Sequence, residues 1–366
     1  MLAHWLKPAE KPATTGWSDY QIGHRIQSFF PEMNDLPEQA VAILGYQEKA
    51  ADAVREDFYA MGWNFGKLPV VDLGNLRRAE PSFAIQVMKE LIDGQKVVIL
   101  LGNDRDLAFY QYQAYGEKIK GVSACLIHPT ADYLLQPTGK QWPLLNRMTK
   151  PGEHHLFHLS LLGYQRHLTD PAILRYLVNE LHYELQGLGL LKQDTEALEP
   201  VLRDADMLGI NLSALQSAFA PAAGVPGPNG IDGMEICQLV RYAGLSEKLS
   251  SLSVGDWALS RDRRKITARM IGQILWYFLE GVSQRQGDFP QSMDGLTEFH
   301  VQHDHFDDQL VFWKSSKTGR WWLQVPVRED AGHERHRLVP CSYSDYQDAC
   351  RNELPERIMQ AQMRFR

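Results

Sequence analysis

No stretch of this 366-residue chain reaches the roughly 18 consecutive apolar side chains that a membrane helix needs. The start, Met1-Leu2-Ala3-His4-Trp5-Leu6-Lys7, lacks the apolar region of a secretion signal, so a cytoplasmic location is expected. Cysteine is scarce. Cys125, Cys237, Cys341 and Cys350 form no CxxC, which favours reduced thiols over a disulfide framework or a thiolate metal site; only the last two are close enough in sequence to approach one another. Positive charge is not in excess either: 38 Lys and Arg against 45 Asp and Glu leave a net charge of −7, which argues against nucleic acid or an anionic membrane as the partner. GxGxxG, the P-loop signature and the GxSxG nucleophile elbow are all missing, so the sequence offers neither a nucleotide cradle nor a hydrolase serine. Internal repeats and low-complexity linkers are also absent.

What is present is an alternation of short, β-branched runs with helical spacing. Residues 41 to 46, 68 to 73, 96 to 101 and 121 to 127 suit strands buried on both faces. Between them, 49 to 61, 81 to 93 and 106 to 117 carry helical periodicity, with Ala84, Val87, Met88, Leu91 and Ile92 on one stripe. A His-rich stretch, 133 to 170, precedes helices expected at 171 to 185 and about 194 to 205, then a strand at Met207-Leu208-Gly209-Ile210. After the Gly/Pro-rich loop 220 to 230, helices at 231 to 244 and 262 to 281 flank a strand near Ser250 to Val254. The pattern predicts an α/β/α three-layer sandwich around a mainly parallel sheet, occupying residues 1–286. Residues 287–366 read as an appendage: a β-hairpin formed by 309 to 313 and 320 to 325, then a helix capped by Ser342.

Three loops follow apolar runs, where an open α/β sheet delivers its functional groups. They are Leu101-Gly102-Asn103-Asp104-Arg105, His128-Pro129-Thr130-Ala131-Asp132, and Asn211-Leu212-Ser213 leading to Ala220-Pro221-Ala222-Ala223-Gly224-Val225-Pro226. Their order resembles the arginase, agmatinase and formimidoylglutamase family, the ureohydrolases, over about residues 40 to 281, and the formimidoylglutamase branch in overall spacing. The family's motifs are Gly-Gly-Asp-His, Asp-Ala-His-x-Asp and Ser-x-Asp-x-Asp-x-x-Asp-Pro. On that resemblance the ligand positions of two metal ions fall on Arg105, His128, Thr130, Asp132, Asn211 and Ser213, and only Asp132 keeps the family's residue. The glutamate that orients the substrate falls near Ser253.

Two divalent cations bring four positive charges, which such sites offset with several carboxylates and neutral imidazoles. This chain supplies one carboxylate, Asp132, one imidazole, His128, and the permanent cation Arg105. The expectation is a ureohydrolase-fold protein without the binuclear centre: no metal or other cofactor, no catalytic residues, and binding of a small ligand or protein partner at the old pocket mouth or through the appendage. The competing expectation is an active manganese-dependent formimidoylglutamate hydrolase or amidinohydrolase with displaced ligands. Asp106, His128 and Asp132 are available for a shifted site, and a filled-in core is a further alternative. The resemblance also implies a homo-oligomer. An Arg105–Asp132 ion pair is expected in place of one metal, against an Arg105 that merely reaches solvent or caps a helix.

Other clusters read as structural. His300-Val301-Gln302-His303-Asp304-His305-Phe306-Asp307-Asp308 suits a solvated loop more than a metal site, and His154, His155 and His158 suit strand histidines. Trp313, Trp321 and Trp322 suit cover for a core or a subunit neighbour more than a binding face.

Overall fold

A computed structural model of the chain describes residues 4–9, 17–30, 36–116, 121–139, 142–150, 156–290, 293–306, 309–325 and 338–364. The first sheet comprises β1 (Leu6–Lys7), β2 (Gln27–Ser28), β3 (Val41–Gly45), β4 (Val70–Leu76), β5 (Val97–Leu101), β6 (Val122–Ile127), β7 (Leu156–Tyr164), β8 (Glu184–Gly187), β9 (Met207–Asn211) and β10 (Ser251–Gly255). It runs β1-β4-β3-β5-β10-β9-β6-β7-β8, with β2 beside β4. Every pairing is parallel except that of β1 with β4.

Its helices are α1 (Ile22–Arg25), α2 (Glu48–Phe58), α3 (Pro81–Asp93), α4 (Leu107–Ala114), α5 (Leu144–Met148), α6 (Pro171–Asn179), α7 (Leu188–Gln193), α8 (Glu199–Arg203), α9 (Gly233–Leu245) and α10 (Ile266–Ser283). Because side chains alternate along a strand, the continuous apolar runs feed two cores at once. Ile43, Ile99 and Val254 join the core beneath α2, α9 and α10, while Leu44, Val98 and Leu100 join the one beneath α3 and α4. The three-layer sandwich is therefore as expected. On α3 the predicted stripe is buried at Ala84, Val87, Met88 and Leu91.

Four strands deliver the loops of interest, and register puts their ends in one row. Val254 pairs with both Leu101 and Ile210, and Ile210 pairs with Ile127. The chain thus leaves β5, β10, β9 and β6 along one carboxyl edge. Above this edge α4 sits close to β9: a Cβ on Gly209 would lie 2.7 Å from the Ala108 Cβ and 2.9 Å from Leu126 Cδ2.

Three stretches depart from the expected pattern. The His-rich stretch contains β7, a strand with a fully parallel neighbour on each side. The helix expected over 171 to 185 stops at Asn179, and the backbone turns through His182, at φ 53°, into edge strand β8. The helix expected over 194 to 205 is broken into a 3-10 turn at Glu196–Leu198 and the short α8, whose Pro200 sits in the first turn, where a missing N–H costs nothing.

The C-terminal region holds more than a hairpin. β11 (Leu296–Val301), β12 (Leu310–Ser315), β13 (Trp321–Gln324) and β14 (Leu338–Cys341) form an antiparallel sheet in that order, followed by α11 (Tyr343–Cys350) and α12 (Glu356–Arg364). The Ser342 hydroxyl accepts from Asp345 N while the Asp345 side chain returns to Ser342 N, closing the predicted capping box. Phe312, Trp321 and Leu323 build a core with Ala349 and Ile358, and Phe157 of β7 packs against it. Trp322 faces the other way, with the Arg203 guanidinium of α8 4.6 Å from its ring. Trp321 and Trp322 are thus buried packing residues, and Trp313 is half-buried with its Nε1 donating to Gln324 Oε1 at 2.9 Å.

Candidate functional site

At the row of strand ends the main chain first makes a set of tight turns. The Asp104 carboxylate accepts from Asp106 N at 2.8 Å and the Asn211 amide oxygen accepts from Ser213 N at 2.8 Å, each side chain capping the backbone two residues on. Gln47 Oε1 receives Asn103 N at 2.9 Å, and Trp257 Nε1 donates to Gly102 O at 2.8 Å. The last two bonds tie the loop after β5 to the chain leaving β3 and to the chain leaving β10.

Between them lies a cavity of about 10 Å³ lined by Arg105, His128, Asn211 and Asp104 among polar residues, with Ala108, Leu126, Leu144 and Ile210 on its apolar side. That is space for about one water molecule. Its mouth carries Arg105, whose side chain is 72% exposed and whose Nη2 lies 4.0 Å from Asp132 Oδ2. The pair expected from the sequence forms at the outer limit of an ion pair and on the surface, so its contribution is small. Asp132 also accepts from Leu144 N at 3.1 Å. Asp106 is turned elsewhere, gripping Arg147 in a two-pronged ion pair under the Phe109 ring.

His128 is half-buried among the loops. Its Nδ1 donates to Thr130 O at 2.8 Å, which leaves Nε2 as an acceptor. Burial pushes the imidazole pKa below its ordinary value, although the Thr130 carbonyl, Asp132 and Asp256 all pull upward. The ring is neutral near pH 7.

Asp256, at the exit of β10, was not among the residues singled out from the sequence. It takes a left-handed conformation at φ 65°, accepts from Ser213 Oγ at 2.6 Å through its carboxylate, and accepts from Gly224 N at 2.7 Å through its carbonyl. The Ser213 hydroxyl in turn receives Val225 N at 2.9 Å. Counting each strand to its carboxyl end would have found it, since Gly255 stands level with Asn211 in the register.

The structure therefore gathers Arg105, His128 and Asn211 around one small space, with Asp132 4.0 Å from Arg105 beside it, Thr130 joined to it through its carbonyl and Ser213 tied to Asp256. Ser253 lies apart. Fully buried within β10, it donates to Gln111 Oε1 of α4 at 2.6 Å, in a polar cluster that includes Ser251 and Tyr115. Among the described residues no group of three or more His, Cys, Asp or Glu is placed to hold a metal ion.

The remaining candidates disperse. His303 is fully buried, contrary to the solvated loop expected, with Nδ1 accepting from His305 N at 3.2 Å and Nε2 without a partner; His300 pairs with Glu298 at the surface. His158 is buried beside Ser160 and Glu184. His154, His155, Asp307 and Asp308 lie outside the described residues. All four cysteines are free, and burial raises the thiol pKa of Cys125 and Cys341 and pushes that of Cys237 up to about 12, so these three are not thiolates at neutral pH.

No protein-family model matches the chain. It is 24% identical over 240 residues to the formimidoylglutamase of Staphylococcus haemolyticus (strain JCSC1435), covering 59% of this chain and 75% of that one. In structure it matches the formimidoylglutamase of Bacillus subtilis subsp. subtilis str. 168 with a TM-score of 0.62 at 16% identity, over 75% of this chain and 97% of that one. Trypanosoma cruzi formiminoglutamase with Mn2+ matches with a TM-score of 0.56 at 13% identity, over 68% and 94%.

Proposed function

We propose, on the premise that the chain is a relative of the formimidoylglutamases with the arginase-like ureohydrolase fold, that this site binds a ligand at its rim without hydrolysing it and without a two-metal centre. The observation that carries the reading is the smallness of the cavity: about 10 Å³ lies where the strand-end loops converge. Two metal ions, a hydroxide and a substrate do not fit in the space of one water.

The donor chemistry supports the same reading. Of the six positions, Asn211 Oδ1 is committed to Ser213 N, Ser213 Oγ to Asp256, and Thr130 offers its carbonyl to His128. His128 Nε2 remains, with the Asp132 carboxylate accepting from Leu144 N and the Arg105 cation beside them. Of the six positions, one imidazole and one carboxylate beside a guanidinium do not offset four positive charges, and the nearby Asp104 and Asp256 carboxylates are hydrogen-bonded to Asp106 N and Ser213 Oγ. A ligand held here would meet Arg105 and Asp132 outside the cavity.

The experiment is metal analysis of protein purified with manganese present, together with an assay for release of ammonia, formamide or urea from formimidoylglutamate, arginine and agmatine. The reading expects substoichiometric manganese and no turnover. Two manganese ions per chain with turnover would overturn it in favour of a hydrolase using displaced ligands, for which Asp256, close enough to act electrostatically on His128, is the feature in its support.

A further inference from the structure

The strand-end loops of a metal-containing site are cross-linked by the ions they share; the loops here are held together by other means. Asp256 stands at their junction. Its N–H donates to Asp104 O of the loop after β5 at 3.1 Å, its carbonyl receives Gly224 N at 2.7 Å, and its carboxylate receives the Ser213 hydroxyl of the loop after β9 at 2.6 Å. Through that hydroxyl the bond extends to Val225 N at 2.9 Å. One residue thus engages the loop after β5 and two parts of the loop after β9.

Two features show that the sequence accommodates this arrangement at some expense. Asp256 holds φ 65°, a region an L-residue occupies reluctantly, although Asp tolerates it better than most. At Gly224 a Cβ would come within 2.2 Å of Asp256 Oδ1, so the carboxylate occupies space that only a glycine leaves open.

Resting on the binding-site reading above, we propose that Asp256 replaces metal as the cross-link of these loops, its carboxylate and backbone locking the loops after β5 and β9 and the segment 222–225 into the closed arrangement. A carboxylate accepting from a hydroxyl forms one of the stronger hydrogen bonds available to a side chain. A site so closed has no need of an ion for its folding.

The test compares melting temperature and amide hydrogen exchange for the full chain and its variants. The unaltered protein should melt at the same temperature in EDTA and in millimolar manganese. Asp256→Gly removes the carboxylate while relieving the backbone strain, so strain relief alone predicts a higher melting temperature. The cross-link predicts a fall of about 3 °C or more, with faster exchange in 102–106, 211–214 and 222–226. Asp256→Asn, which keeps an acceptor and suits the left-handed region, should recover most of the loss, and Ser213→Ala should reproduce part of it. Unchanged melting and exchange in Asp256→Gly would sink the cross-link even if no manganese binds, and loss of stability in EDTA would do the same. If instead two manganese ions bind, the non-hydrolytic reading falls and Asp256 does not replace metal, even where Asp256→Gly loosens the loops; unchanged melting in Asp256→Gly without manganese binding sinks the cross-link alone.

Discussion

At Arg105 the chemistry of a single substitution can be followed from charge to consequence. Its guanidinium lies 4.0 Å from Asp132 and is mostly in water, so the attraction is screened and the side chain keeps most of its freedom. Arg105→Ala should cost less than about 1 kcal/mol by chemical denaturation. Arg105→His should not create manganese binding, because Asn211, Ser213 and the Thr130 carbonyl are already committed to neighbours. Stoichiometric manganese in that single variant would show that those bonds yield easily to a metal.

His128 makes a pH prediction whose sign follows from burial. Its pKa in the folded chain lies below the 6.5 of a free imidazole, whereas the unfolded chain titrates near that value. As pH falls below about 6.5 the unfolded state takes up a proton that the native state refuses, so stability present at neutral pH is lost towards acid, by at most about 1.4 kcal/mol per pH unit. His128→Asn can keep the bond to Thr130 O without titrating. Its urea midpoint should therefore change less than that of the unaltered protein between pH 7.5 and 5.5; equal changes would place the imidazole charge outside the linkage.

Elements were legible where one physical signal dominated. The apolar runs of β3, β5, β6 and β9 and the stripe on α3 could be read because each is buried on every side its period demands. β8 was hidden because an edge strand of four residues, three of them only half-buried, carries little apolar alternation. The interruption at Pro200 was legible in principle and was overridden by helical spacing. Of the site, the loops could be located from their place after strands, but Asp256 follows a strand whose end was set one residue short, and its importance lies in contacts with 213 and 224 that no local pattern announces. Close packing at Gly209 is of the same kind. Gly209→Ala should force α4 away from β9 and cost about 1–3 kcal/mol. A urea midpoint unchanged from that of the parent would mean that α4 is not seated as tightly as the 2.7 Å approach implies.

At the scale of the whole molecule the C-terminal sheet is joined to the large one by charge as well as by apolar packing. The buried Arg203 of α8 donates to Trp321 O at 3.1 Å and Cys341 O at 3.0 Å, satisfying two carbonyls of the small sheet, and pairs with Glu199 at 3.0 Å. In the other direction Arg357 of α12 lies 3.7 Å from Glu184 of β8, whose side chain is 2% exposed, and Arg320 lies 3.5 Å from Glu199. Removing the small sheet would undo these bonds and uncover apolar surface now packed between the two sheets, Phe157 of β7 included. Deletion of 287–366 should accordingly lower the melting temperature or solubility of what remains. Arg203→Ala, a far smaller change, should destabilise the intact chain by about 3 kcal/mol and make the C-terminal region more susceptible to protease. The two outcomes separate a docked sheet from a tethered one. If the truncated chain melts unchanged with the same oligomer size, and Arg203→Ala is silent, the bonds from α8 to the small sheet contribute nothing in solution.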